Sequence, residues 1–286
     1  MQILSTVAEL RTWSRNARTT AKSVALVPTM GALHAGHASL IRAAAASCNA
    51  VAVSIFVNPT QFGPQEDFTR YPRSFEADCA LAEAEGAHVV FAPAVEEIYP
   101  PGATTFVDVE GLSQRLDGQS RPGHFRGVAT VVAKLLIAAE PDRAFFGQKD
   151  AAQVALLRRM VLDLRLATEI VVCPIVRDPD GLALSSRNVY LTPAQRTQAL
   201  ALSRAIRQVE SLATQGERRA ATLIEAAKAL IATEHNSVAE PALRIDYIEL
   251  VDWSTLRPVE IAATGNLFAL AAYVGPTRLI DNTILD

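Results

Sequence analysis

The chain has 286 residues, of which half are hydrophobic and a fifth are charged, and its formal net charge is −3. This length favours one large domain with a smaller one beside it, and the composition excludes extended disorder. The charges are spread along the sequence rather than gathered into blocks, so we expect no nucleic-acid partner and no anionic-membrane partner.

The first part of the chain alternates short apolar segments with helical ones. Strands are predicted for VALVPTM at 24–30, AVAVSIFV at 50–57 and HVVFAP at 88–93, with helices at about 37–46 and 74–85. The alternation continues with a helix at 127–139, a strand at AFFG, a helix at 151–163 and a strand at 169–176. Regular alternation of this kind predicts a parallel sheet with helices on its faces.

The pattern changes after Leu191. Thr192 and Pro193 are typical of a helix start, and Gly216 of a helix end. A second helix at 218–234 and the three β-like segments RIDYIELV, NLFALAAYV and TRLIDNTIL follow. The predicted fold class is α/β: a Rossmann-like parallel-sheet domain at 1–178 and a smaller α+β domain with an antiparallel sheet at 179–286.

The sequence also bears on the compartment. The N-terminus lacks the pattern of a secretory signal, and no apolar segment is long enough to span a bilayer. Cys48, Cys79 and Cys173 lie far apart without C-x-x-C spacing, which argues against disulfides and a zinc site. We therefore expect a cytoplasmic protein.

The strongest local motif is PTMGALHAGH at 28–37, where the first strand meets the first helix. A helix start at the carboxyl edge of a parallel sheet offers free N–H groups to phosphate. His34 and His37 are three residues apart and share one face of a helical turn, so both can point at one phosphate group. The alternative is that one histidine caps the helix and the other is a metal ligand or a surface residue.

Three further polar segments follow other strands. They are LSSRN at 184–188, FGQKD at 146–150 and NPTQFG at 58–63. Arginine and lysine in such loops can hold phosphate oxygens, and amides can bind a hydroxyl or carboxylate. Each alone is also typical of an exposed turn. The sequence has no P-loop, G-x-G-x-x-G, G-x-S-x-G or H-E-x-x-H motif, which argues against P-loop ATPases and conventional dehydrogenases.

Five motifs, taken in chain order, closely resemble those of the pantothenate synthetase (pantoate–β-alanine ligase) family, and the resemblance covers essentially the whole chain. The motifs are PTMGALHAGH, FVNPTQFGPQEDFTRYPR, RPGHFRGVATVVAKL, FFGQKDAAQ and DGLALSSRN. The resemblance implies that ATP adenylates pantoate, and that β-alanine then attacks pantoyl adenylate to give pantothenate and AMP. It also implies Mg²⁺ with ATP, and a homodimer.

Family site residues can be carried over position by position. The resemblance implies that His34, His37, Lys149, Ser185 and Arg187 are catalytic, with His37 as the acid. It implies that Gln61, Gln153 and Asn58 bind the other substrates. It implies an ATP site made of Met30, Gly31, Ala32, Leu33, His34, Ala35, Gly36, His37, Gly147, Gln148, Lys149, Asp150, Val176, Leu184, Ser185, Ser186 and Arg187.

Some points stay open at this stage. Leu184 and Gln148 stand where the family often has methionine and glutamate. The metal ligands are unknown, with Asp78 one candidate. Arg121 and His124 belong either to a structural loop or to a lid. The competing functions are a cofactor adenylyltransferase of the same superfamily and a nucleotide-binding regulator without chemistry.

Overall fold

The computed structural model describes residues 1–20, 22–64, 66–235 and 243–286, so Gln65 of the FVNPTQFGPQEDF segment lies outside the described residues. The chain forms two compact units. The first consists of Met1–Gln148 and Gln153–Pro174, and the second of Lys149–Ala152 and Ile175–Asp286. Residues 149–152 thus belong to the second unit, although the sequence placed them inside a first domain ending at 178.

The first unit contains a parallel sheet of six strands. Its order is β1-β4-β3-β2-β5-β6, with bounds β1 Gln2–Leu4, β2 Val24–Thr29, β3 Ala50–Ile55, β4 Val89–Phe91, β5 Arg143–Gly147 and β6 Glu169–Cys173. The chain leaves β2 toward β3 and later returns to β5 on the opposite side of β2. This confirms the predicted Rossmann-like sheet and places its topological switch point at β2 and β5.

Seven helices are described between the first strand and β6. They are α1 Val7–Thr19, α2 Ala35–Ser47, α3 Phe75–Ala84, α4 Val95–Ile98, α5 Asp117–Ser120, α6 His124–Ala139 and α7 Ala151–Asp163. The α2 helix begins two residues before the predicted start because His34 acts as its N-cap. The α6 helix begins three residues before its predicted start, after Gly123, whose φ of 83° suits glycine.

The core of the sheet forms around its central strands. Val27 and Val53, on neighbouring strands, are fully buried and pack with Ile41 and Ala44 of α2. The β2 and β3 strands are apolar at nearly every position, as expected of parallel strands that have no solvent-facing side. This rigid centre fixes where the loops after β2 and β3 begin.

The second unit combines two long helices with an antiparallel sheet. Its elements are α8 Pro193–Thr214, α9 Ala220–His235, β7 Arg244–Asp252, β8 Asn266–Val274 and β9 Thr277–Ile284, with strand order β7-β8-β9. Thr192 and Gln195 form a capping box at the start of α8. The predicted C-terminal α+β architecture is confirmed. In the described parts of both units, no helix has the length and apolarity that crossing a membrane requires.

Candidate active site

The histidine turn, residues 30–37, connects β2 to α2. His34 caps α2: its Nδ1 accepts from the backbone N–H of Gly36 at 3.1 Å. His37 returns the contact, because its Nδ1 accepts from the N–H of His34 at 3.3 Å. The two ring centroids are 4.2 Å apart. The structure therefore brings the two histidines side by side at the helix start, as their spacing predicted.

These two caps determine where each neutral ring carries its proton. Because each Nδ1 accepts from a backbone N–H, the proton of a neutral ring lies on Nε2. Capping uses Nδ1 of each ring, and Nε2 is the nitrogen that would donate to a phosphate. The histidines do cap the helix, and this role leaves each ring with an N–H donor at the positive end of the helix.

Asp78, at the start of α3, holds the histidine turn in place. Its Oδ2 accepts from the N–H of Ala32 and its Oδ1 from the N–H of Leu33, both at 2.8 Å. Gly31 and Ala32 have φ values of 82° and 51°, so the turn adopts a left-handed conformation that L side chains disfavour. A Cβ added to Gly31 would lie 3.0 Å from Asp78 Oδ2. The buried carboxylate thus stabilises a turn that local sequence preference alone would not.

The same contacts test Asp78 as a magnesium ligand. Its two oxygens already accept from two backbone N–H groups and from the Ser74 hydroxyl at 3.0 Å. A cation would compete with these donors for the same lone pairs. No group of three histidine, cysteine or acidic residues in the described ranges is arranged to hold a metal. With these three donors in place, Asp78 fits the role of a support for the histidine turn and does not fit that of a metal ligand.

The amide loop, residues 58–61, follows β3. Asn58 is 1% exposed: its Oδ1 accepts from Tyr99 at 2.9 Å, and its Nδ2 donates to Gln61 Oε1 at 3.0 Å. The Nε2 of Gln61 donates to the sulfur of Met30 in the histidine turn at 3.0 Å. The structure therefore brings Gln61 and the histidine turn together, and the buried amide of Asn58, at the start of the loop, orients Gln61.

The arginine–histidine cluster, Glu66, Arg121 and His124, lies behind the amide loop. Arg121 donates to both oxygens of Glu66, at 2.7 and 2.5 Å. Burial alone would raise the pKa of Glu66, but Arg121 brings it below its ordinary value. Burial, and next the charge of Arg121, lower the pKa of His124 to about 4, against the smaller opposing effects of the Gln61 carbonyl, Asp117 and Glu66. His124 is therefore neutral near pH 7.

The second unit holds the other predicted phosphate-binding groups. The ammonium of Lys149 lies 3.6 Å from the Asp150 carboxylate. Ser185 caps a short 3-10 turn, because its Oγ accepts from the N–H of Arg187 at 3.3 Å. Leu184 donates its N–H to the carbonyl of Val176 at 3.0 Å, which fixes the start of the S-S-R loop.

The last strand, β9, connects these groups within the second unit. Asn282 donates to the carbonyl of Lys149 at 2.9 Å, and β9 also packs against the 3-10 turn Ser186–Tyr190. The neighbouring Asp281 is 2% exposed and pairs with both terminal nitrogens of Arg177, at 2.6 and 2.9 Å. The sequence predicted TRLIDNTIL as a strand and gave no functional role to Asp281 or Asn282. The adjacent acid and amide, Asp281 and Asn282, in the middle of a predicted strand were the available signal.

Three predicted residues have simpler placements. Gly147 ends β5 and Gln148 begins the 3-10 turn that follows. Gln153 is half-buried in the first turn of α7. Gly147 lies at the carboxyl end of β5 and the two glutamines follow it; β5 is next to β2 in the sheet, and this is the edge where parallel sheets bind ligands.

A Rossmann-like sheet with paired histidines at the start of α2, the helix that follows its central strand β2, defines a nucleotide-binding α/β enzyme. The family model described as pantoate–β-alanine ligase matches residues 2–284. The chain belongs to the pantoate–β-alanine ligase family. It is therefore a ligase, and the resemblance stated from the motifs is confirmed.

Individual relatives agree with this assignment. A pantothenate synthetase of Acidobacterium capsulatum is 61% identical over 264 residues, which cover 92% of this chain and 86% of the relative. A pantothenate synthetase of Koribacter versatilis is 54% identical, over an alignment that covers 100% of this chain and 96% of the relative. Among solved structures, a pantothenate synthetase from Thermus thermophilus has a TM-score of 0.91 and 44% identity, covering 99% of both chains. A Francisella tularensis pantoate–β-alanine ligase, complexed with beta-gamma ATP and β-alanine, has a TM-score of 0.80 and 34% identity, covering 99% of this chain and 97% of its own.

Proposed function

We propose that the chain joins pantoate to β-alanine in two steps through pantoyl adenylate. The pantoate carboxylate attacks the α-phosphorus of ATP, and pyrophosphate leaves. The amine of β-alanine then attacks the acyl carbon, AMP leaves with the bonding electrons, and the amine loses a proton. Activation is necessary because a carboxylate has a poor leaving group, whereas the mixed anhydride has AMP.

The observation that carries this proposal is the orientation of the histidine pair. Both rings use Nδ1 as an acceptor inside the helix cap, so both present an N–H at Nε2. Two fixed donors at a helix start favour the charge that develops on phosphate oxygens during in-line displacement. We assign His34 and His37 to stabilisation of that charge, with His37 as the acid that protonates the leaving group.

The remaining roles follow from the family resemblance and the local chemistry. Lys149, Ser185 and Arg187 bind the phosphates, since ammonium, hydroxyl and guanidinium groups suit phosphate oxygens. Gln61 and Gln153 bind pantoate, and Gln61 also lies near β-alanine. Asn58 serves the substrate site by holding the Gln61 amide. The adenosine contacts of Gly147 and Asp150, and a lid role for the C-terminal unit, belong to the same proposal.

Pyrophosphate–ATP isotope exchange tests the proposal directly. The purified protein is incubated with ATP, Mg²⁺ and labelled pyrophosphate in three reactions: with pantoate, without pantoate, and with β-alanine alone. Exchange that requires pantoate and does not require β-alanine is the expected result, because adenylation precedes amide formation. Mg²⁺ is included as the expected counterion of the ATP phosphates.

The alternative functions give different results in the same assay. A protein that binds ATP and shows no pantoate-dependent exchange would contradict adenylate formation. Transfer of AMP to a phosphorylated cofactor precursor added to the same reaction would then favour a cofactor adenylyltransferase, and binding of ATP without any turnover would favour the nucleotide-binding regulator. The family assignment argues against both, as does the defined place of Gln61 beside the histidine turn.

We further propose that the enzyme works in the cytoplasm as a homodimer. The thiols of Cys48, Cys79 and Cys173 are free, which fits a reducing compartment. The dimer follows from the family resemblance. Sedimentation equilibrium of the purified chain, extrapolated to low concentration, distinguishes a dimer from the 30.7 kDa monomer.

Replacement of Asn282 by alanine is expected to raise the KM for ATP about three- to tenfold, the value of one hydrogen bond, with a smaller effect on kcat. The variant removes the donor that holds the Lys149 carbonyl. Thr283→Val is the matched control, because Thr283 is the next residue of β9 and bonds to Glu210 instead. Steady-state kinetics with varied ATP provide the measurement, and equal KM values in the two variants would contradict the role of Asn282.

A further inference from the structure

Two residues of the RPGHF segment converge on one backbone carbonyl. His124 Nδ1 lies 2.8 Å from the carbonyl oxygen of Gln61, and Arg121 Nη2 donates to the same oxygen at 3.3 Å. Arg121 Nη1 lies 3.0 Å from His124 Nε2. The side chains of Arg121 and Glu66 are 14% and 26% exposed, so this network is largely shielded from water.

The contacts admit one protonation state of His124. A guanidinium only donates, so Nε2 of His124 must accept from Arg121. The ring proton is then on Nδ1, which donates to the Gln61 carbonyl. A proton on Nε2 would point an N–H of the imidazole at an N–H of the guanidinium. The lowered pKa of His124 agrees with a ring that stays neutral beside Arg121. Arg121 thus donates to Glu66 on one side and to His124 on the other, and His124 donates in turn to the Gln61 carbonyl.

The amide loop has a second support in the same helix, one turn beyond His124. Asn58 donates to the carbonyl of Gly127 in α6 at 3.2 Å. A Cβ at Gly127 would lie 2.3 Å from the carbonyl oxygen of Thr60, so the loop backbone approaches the helix too closely for any side chain there. The first turn of α6 therefore contacts the loop at two neighbouring loop residues, Thr60 through Gly127 and Gln61 through His124. This geometry favours a positioning role for the RPGHF segment over the mobile lid considered from the sequence.

We propose that Glu66, Arg121 and His124 are positioning residues that fix the backbone of Gln61 and thereby aim its side-chain amide at pantoate. This inference rests on the proposed function, in which Gln61 binds pantoate. The amide of Gln61 lies between Asn58 and Met30, and a shift of its backbone moves it away from both. Pantoate affinity should therefore depend on the network, whereas ATP affinity should not.

The two amide replacements of His124 separate the two halves of the hydrogen-bond chain. In His124→Asn the amide nitrogen lies where Nδ1 was, so the donor to the Gln61 carbonyl is kept. In His124→Gln the amide lies where Nε2 was, so the contact with Arg121 is kept and that donor is lost. The two variants differ by one methylene, and a general loss of packing would affect both.

Calorimetry measures the dissociation constants of pantoate and of a non-hydrolysable ATP analogue for the unchanged protein and both variants. The expected result is a pantoate Kd raised about five- to tenfold in His124→Gln and changed less than about twofold in His124→Asn, as for loss of one hydrogen bond. The Kd of the ATP analogue should change less than about twofold in either variant. Should His124→Gln fail to fold, His124→Phe replaces it, because it keeps a ring at this position and removes the same donor to the Gln61 carbonyl, with the same expected rise in the pantoate Kd alone.

Three results would overturn the inference. Equal pantoate Kd values in the two histidine variants would exclude a specific role of the donor to Gln61. Equal losses of pantoate and ATP affinity would indicate general damage to the fold. Failure of pantoate to bind the unchanged protein would overturn the proposed function together with this inference, whereas the first two results leave that function intact.

Discussion

Replacing His37 by asparagine is expected to lower the rate of pantoate-dependent exchange by about 10²–10³-fold, with ATP affinity changed less than about threefold. Asparagine keeps an acceptor where Nδ1 stood, so the helix cap with the His34 N–H survives. The N–H at Nε2 is lost. A donor aimed at charge that develops in the transition state contributes mainly to kcat, because the ground state uses it less.

His37→Gln is the matched control for the asparagine variant. Its amide reaches the Nε2 position and restores an N–H donor, at the cost of the cap to His34. We expect its exchange rate to exceed that of His37→Asn. Its free energy of unfolding should be lower than that of His37→Asn by about 1 kcal/mol, the usual value of one helix cap. Similar exchange rates in the unchanged protein and His37→Asn would contradict the catalytic role and leave His37 as a capping residue.

The parallel sheet could be predicted because its strands are short, apolar and regularly separated by helices. The β2 and β3 strands are buried at nearly every position, so their pattern was unambiguous. The β1 strand was missed because only one of its three residues is buried, so no apolar segment marks it, whereas β4 is equally short but buried throughout. The early starts of α2 and α6 depend on caps at His34 and Gly123, whereas the prediction began both helices inside their first turn.

The site was predictable where one continuous motif carries it. The histidine turn includes its own cap, so three-residue spacing sufficed to place both rings on one face. The supports of the site come from distant parts of the chain. Asp78 is 45 and 46 residues from the amides it holds, and Asn282 is 133 residues from Lys149. Neither separation leaves a local pattern in a single sequence.

These supports are all hydrogen bonds between a side chain and the backbone of a loop. Asp78 accepts from the histidine turn, and Arg121 and His124 donate to the amide loop. In each case a polar side chain from another element binds the backbone of a loop that carries a proposed substrate contact. Such bonds fix loop positions to a fraction of an ångström, which catalysis by orientation requires. The rigidity of the sheet thereby extends into the loops at its edge.

Replacing Asp78 by alanine is expected to destabilise the protein by about 3 kcal/mol, because two buried backbone donors lose a charged acceptor. For a chain of this size that corresponds to a fall in Tm of about 5 °C. The left-handed turn at Gly31 and Ala32 would lose its anchor, so exchange activity should also fall more than tenfold, roughly the effect of misplaced catalytic groups. Differential scanning calorimetry and the exchange assay measure the two effects.

Glu76→Ala is the matched control, since Glu76 also lies in the first turn of α3 but is exposed. Both variants lose one negative charge at the same helix start, so a difference between them isolates the contacts with the histidine turn. The metal-ligand alternative gives a different result. If Asp78 acted by binding Mg²⁺, the Tm without metal would be equal in Asp78→Ala and the unchanged protein, and the loss of activity would lessen as Mg²⁺ is raised. We expect the loss of Tm at every Mg²⁺ concentration, including none, because the Asp78 oxygens serve the amides of Ala32 and Leu33.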